Sequence, residues 1–144
     1  MAPGDWYPRY LEGVALLAQN RALEAVTAFR QALQIEPNNV TILISLAQML
    51  ASDENPQVRD GRTALALAQR AIAHSDGVQP AFLDVLSMAY AETGDFEDAQ
   101  RTAQDALALV ESRHLTNYIS IIREQLQLYR NRQPFRSSLN NKPG

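Results

Sequence analysis

The chain has 144 residues and a mass of 16.0 kDa, with 46% apolar and 20% charged side chains, enough for one hydrophobic core and too little for two ordinary domains. It has no cysteine and two histidines, His74 and His114, which excludes disulfide staples, thiolate nucleophiles and Cys-based zinc sites and starves most metal and acid/base constellations. The net charge of −3 is uneven: residues 1–113 carry a balance of −7 and residues 114–144 a balance of +4, a short basic tail on an acidic body that argues against nucleic-acid binding.

No apolar run is long enough for a membrane span, and Met1–Asp5 is too short for a signal peptide. A cytoplasmic setting is therefore the expectation for the chain as given.

Two interleaved series of residues recur along the chain. Ala25, Phe29 and Ala32 return as Ala64, Ala68 and Ala71, then as Ala99, Ala103 and Ala106. Gly13 with Leu16 returns as Ala47 with Leu50, then as Ser87 with Tyr90. Both series advance by 74 positions over two steps, or two periods of 34 with six inserted residues, five of them in Ser52–Gly61.

Each period reads as a pair of helices. Apolar residues at helical spacing predict a helix over Trp6–Gln19, which Asn20 can end in the left-handed conformation. Ala22–Ile35 follows, closed by Pro37, with Asn38 or Asn39 capping the next helix. The second unit comprises Val40–Ala51 and, beyond the insertion, Gly61–His74 with Asp60 as N-cap. The third comprises Pro80–Thr93 and Phe96–Val110, separated by Gly94 as a left-handed stop and by an Asp95/Asp98 pair resembling a capping box. A seventh helix over Arg113–Arg130 gathers Leu115, Tyr118, Ile122, Leu126 and Tyr129 on one side; it reads as a cap on the open end, with Pro134–Phe135 folding back over it. Residues 137–144 read as a frayed, disordered tail. Small residues where two helices cross let their axes approach, and a single pair cannot cover its own apolar stripe, so the units must stack.

Over about residues 6–111 this phased set resembles the tetratricopeptide repeat (TPR) family, in a bacterial-type array with a C-terminal capping helix. The first unit supplies Gly13, Leu16, Ala25, Phe29, Ala32 and Pro37, and the third Ser87, Tyr90, Gly94, Ala99 and Ala106; the family's Trp is missing from its motif place, and the second unit is stretched. The resemblance implies an all-α, right-handed α-solenoid in one domain over 1–136, with three helix-turn-helix repeats (6–39, 40–79, 80–112) and a cap (113–130), about seven helices in all.

It also implies a concave groove lined by the first helix of each unit. Carried over by place, that groove presents Tyr7, Tyr10, Val14 and Leu17, then Thr41, Ile44, Ser45 and Gln48, then Ala81, Asp84, Val85 and Met88. None of these is Lys, Arg or Asn, so the carboxylate-clamping mode of family members that bind chaperone C-termini is disfavoured and the groove is apolar with one acid. The expected function is a protein-interaction scaffold that binds a peptide or partner protein, with no enzymatic activity, cofactor or metal. The alternatives are a self-associating module, with a second copy as partner, and the auxiliary tail of a larger enzyme, such as a membrane-anchored glycosyltransferase-like protein. Ser45 and Ser87 lack a histidine in helical register, and Asp53, Glu54 and Asp60 lack the spacing of a calcium loop.

Overall fold

The computed structural model describes residues 4–137, and within them the chain is all-helical: seven α-helices and no strand. They are α1 (Tyr7–Ala18), α2 (Ala22–Ile35), α3 (Val40–Ser52), α4 (Gly61–His74), α5 (Pro80–Glu92), α6 (Phe96–Ser112) and α7 (Thr116–Arg130). Each helix packs against the next, and α3 also packs against α5.

The repeating small residues are the crossing points. Ala25, Ala32, Ala64, Ala71, Ala99 and Ala106 are all fully buried. Gly13 is the tightest case, since a Cβ there would lie 2.6 Å from the Phe29 ring. Only glycine lets α1 lie this close to α2 with Phe29 between them. The core divides into two clusters, one from α1 to α5 and one from the end of α5 through α7, and Phe135 packs against both.

Helix ends follow local chemistry. Asn39, Asp60 and Asp95 cap α3, α4 and α6, their side-chain oxygens accepting from the amides of Ile42 (3.2 Å), Thr63 (3.2 Å) and Asp98 (3.1 Å). The return arm of a capping box is missing at Asp95, whose amide donates instead to the Tyr90 carbonyl at 2.9 Å. Four helices end alike, with a left-handed residue at Asn20 (φ 62°), Gly94 (88°), His114 (56°) and Arg132 (56°). In each case the next amide donates back to the carbonyl five residues earlier, as in Arg21 to Leu16 and Leu115 to Val110.

Two expectations need correction. The helix expected over Arg113–Arg130 begins at Thr116, because the left-handed turn at His114 separates it from α6, which runs on to Ser112. Ser137, expected in the frayed tail, is tied down: its amide donates to the Ser52 carbonyl at 2.8 Å, and it forms an isolated parallel bridge with Asp53. The remainder of that expected tail, 138–144, lies outside the described residues. The fold-back from Pro134 thus passes α7 and reaches the end of α3.

The insertion between α3 and α4 is a built loop. Val58 is buried in the larger cluster, and the Asp60 amide donates to the Leu50 carbonyl at 2.8 Å, closing the loop at its base. Arg59 donates to the carbonyls of Asp53 and Glu54. It also pairs with Glu92 at 3.2 Å, and Arg136 reaches the same carboxylate at 2.6 Å. One acid at the end of α5 therefore joins the insertion to the C-terminal segment.

Candidate functional site

The expected groove residues separate into three groups. Val14 and Leu17 of α1, with Ser45 and Gln48 of α3, line a first concavity of about 260 Å³. Ile44 and Gln48 of α3, with Ala81, Asp84 and Val85 of α5, line a second of about 210 Å³. Gln48 borders both, so the two adjoin. Tyr7, Tyr10, Thr41 and Met88 line neither.

Their positions show why. Met88 is 3% exposed and belongs to the larger core cluster, so it offers no surface to a ligand. Tyr10 is half-buried, its ring 5.5 Å from Phe29 and its hydroxyl 3.3 Å from Ser45 Oγ, and it braces α1 against α2 and α3. Tyr7 is 51% exposed and stacks on Tyr10, with Trp6 edge-on to both. These three rings form an aromatic cluster at the N-terminal end of the helical array. Thr41 is exposed on the first turn of α3.

The structure also brings in residues that the repeat register did not assign. Asn20, Phe29, Met49, Asp53, Glu54 and Ser137 complete the first concavity; the insertion and the C-terminal segment supply half of these. Pro80, Tyr118 and Ile122 complete the second. The apolar stripe of the seventh helix already contained Tyr118 and Ile122. The missing information was that this helix also walls the second concavity beside α5.

Where α7 meets α5 there is a polar cluster in an apolar setting. Ser87 is fully buried; its hydroxyl donates to the Asp84 carbonyl at 2.6 Å and lies 3.4 Å from the Tyr129 hydroxyl. Burial drives the Tyr129 phenol well above its usual range, and the Asp84 charge adds to that. Asp84 is half-buried, and desolvation pushes its carboxyl up to about 6, against a smaller opposing effect from the Gln125 amide beside it. Asp84 Oδ1 is closed off from solvent without a hydrogen-bond partner, and so are both polar atoms of the Gln125 side chain. Gln125 was not singled out by the sequence; its position on the buried side of α7 is its only signal.

No nucleophile stands beside a base in this region. His74 lies at the end of α4 and is exposed, and His114 occupies its left-handed turn. No three His, Asp or Glu side chains converge among the described residues, and no helix among them is long and apolar enough to cross a membrane. No family model, curated protein or solved structure matches this chain.

Proposed function

We propose that the chain is a TPR-like interaction module: three helical hairpins stacked in a right-handed solenoid, α7 as terminal cap, and an inner groove that captures an extended apolar segment of a partner protein. The observation that carries this reading is the lining of the two adjoining concavities. Residues from α1, α3 and α5, spaced by the repeat, line them with apolar surface, and no Lys or Arg is among them. Such a surface binds chiefly by removing apolar area from water, so affinity depends on a few well-buried contacts.

The test is selection of phage-displayed random peptides on the full chain, followed by titration of a selected peptide against wild type and a Val14→Ser/Ile44→Ser double variant. Affinity should fall at least tenfold while the helical spectrum is unchanged. Binding indifferent to this change would refute the groove. The same protein in sedimentation tests self-association, for which the exposed Leu115, just before α7, and Tyr118 and Ile121 of α7 are the supporting observation.

A further inference from the structure

We infer that the second concavity is a seat for one cationic side chain, a lysine or arginine of the bound segment, with Asp84 as its counter-ion. This assignment rests on the groove reading above and names the partner's chemistry: a peptide segment carrying a basic residue between apolar ones.

Three observations carry it. The concavity is small, about 210 Å³, roughly seven water volumes, which suits one long side chain better than a helix or a loop. Its walls are aliphatic and aromatic, from Ile44, Val85, Ile122 and Tyr118, and they match the methylene stem of a lysine or arginine. Asp84, on the same wall, is the one ionisable carboxyl lining it, and no arginine among the described residues pairs with it.

A carboxylate held in apolar surroundings, with Oδ1 closed off and unpartnered, is costly, and a cation brought to the side of Asp84 that lines the concavity offsets part of that cost. An aliphatic ligand side chain would leave the charge unpaired, and an acidic one would be repelled. The ionisable groups facing Asp84 are phenols, Tyr118 and Tyr129 of α7, α3 contributes only the neutral Gln48, and the Gln125 amide beside it is a neutral donor whose effect is smaller than the desolvation. Among the described residues no positive charge therefore takes the cation's place. The adjoining concavity agrees in sign, because Asp53 and Glu54 line it and no Lys or Arg does. The groove as a whole is acidic and apolar, complementary to a basic and apolar segment.

The probes are the peptides selected on the full chain, resynthesised with each Lys or Arg replaced in turn by norleucine and by Glu. Fluorescence anisotropy then compares them on wild type and on Asp84→Asn. One basic position should prove essential: norleucine there weakens binding at least tenfold, Glu weakens it further, and both differences vanish on D84N. On wild type alone, acidifying from pH 7.5 to pH 5 should shrink the same ratio, an arm that needs no variant to fold. If the selected peptides bind equally well with norleucine, or if D84N keeps the discrimination, the cation seat is wrong while the groove stands. If no peptide is selected at all, the groove reading falls, and this assignment falls with it.

Discussion

Replacing Glu92 by Gln tests how the insertion and the C-terminal segment are held to the end of α5. The Glu92 carboxylate lies 3.2 Å from Arg59 Nε and 2.6 Å from an Arg136 terminal nitrogen, and its side chain is 16% exposed. Two charges at such a partly shielded site attract by about 4 kcal/mol each way in gross terms, and desolvation returns most of that. Exposed pairs are worth about 0–1 kcal/mol, and breaking a buried one costs about 3–5 kcal/mol. The site lies between these limits, so Glu92→Gln should cost about 2 kcal/mol, or roughly 4–8 °C in melting temperature for a chain of this size. Gln is nearly isosteric and keeps an acceptor, so the loss reports the charge and the repulsion between the two arginines left behind. Urea unfolding followed by circular dichroism measures it, and a cycle with Arg136→Ala should give a coupling of about 1 kcal/mol. Gly61 offers an independent probe, because a Cβ there would meet Glu92 Cγ at 3.0 Å and its carbonyl carbon at 3.2 Å, so Gly61→Ala should disturb the same carboxylate. A Glu92→Gln effect below about 0.5 kcal/mol with zero coupling would refute the clamp.

Three further outcomes follow from the geometry. Because burial raises the folded carboxyl of Asp84 from 3.8 to about 6, the native state holds its proton more tightly than the unfolded state, and stability is lost as pH rises through that window; Asp84→Asn should therefore gain on wild type by about 1–3 kcal/mol between pH 4 and pH 7, and a difference flat with pH would contradict this. His114→Gly should stabilise the α6–α7 turn by about 0.5–1 kcal/mol, whereas Gly94→Ala, with open space around its Cβ but φ at 88°, should cost about 1–2 kcal/mol by backbone strain alone; thermal melts of the two variants shifting in the same direction would refute the left-handed assignment. Ala106→Leu should overpack the α6 crossing by about 1–3 kcal/mol, and truncation after Ser112 should expose Ala103, Ala106 and Val110 to hydrophobic dyes; a soluble truncation of unchanged stability would show that α7 caps nothing.

The sequence was most legible where residue type and backbone demand coincide. The phased alanines mark the buried sides of the paired helices, where all but Ala103 at 1% are at zero exposure, so the six paired helices could be placed within about two residues at their ends. Asn20 and Gly94 announce left-handed turns because they tolerate positive φ. His114 and Arg132 adopt the same turn without announcing it, and Arg132 sits where its guanidinium lies 5.2 Å from the Phe96 ring centre. There the returning amide hydrogen bond and the packing of the next helix override residue preference, which is why the α6–α7 boundary moved.

The groove was half legible, for a related reason. Helical register gives the direction in which Val14, Leu17, Ile44, Gln48 and Asp84 lie, but it does not say what else comes to lie over them. Met88 shares that register and is buried, because Val85, Met88 and Ala89 pack together into the larger cluster while Asp84 turns toward α7. Non-local partners decide such cases: Arg59 and Arg136 meet at Glu92 from 33 and 44 positions away, and Ser137 reaches Ser52 across 85. No short-range pattern carries that information. Each of these contacts joins an irregular segment to the helical array, and the insertion and the C-terminal segment complete the first concavity through Asp53, Glu54 and Ser137. The departures from the regular repeat therefore coincide with the part of the first concavity that the repeat alone could not specify, and loosening the Glu92 clamp should reshape that concavity as well as lower stability.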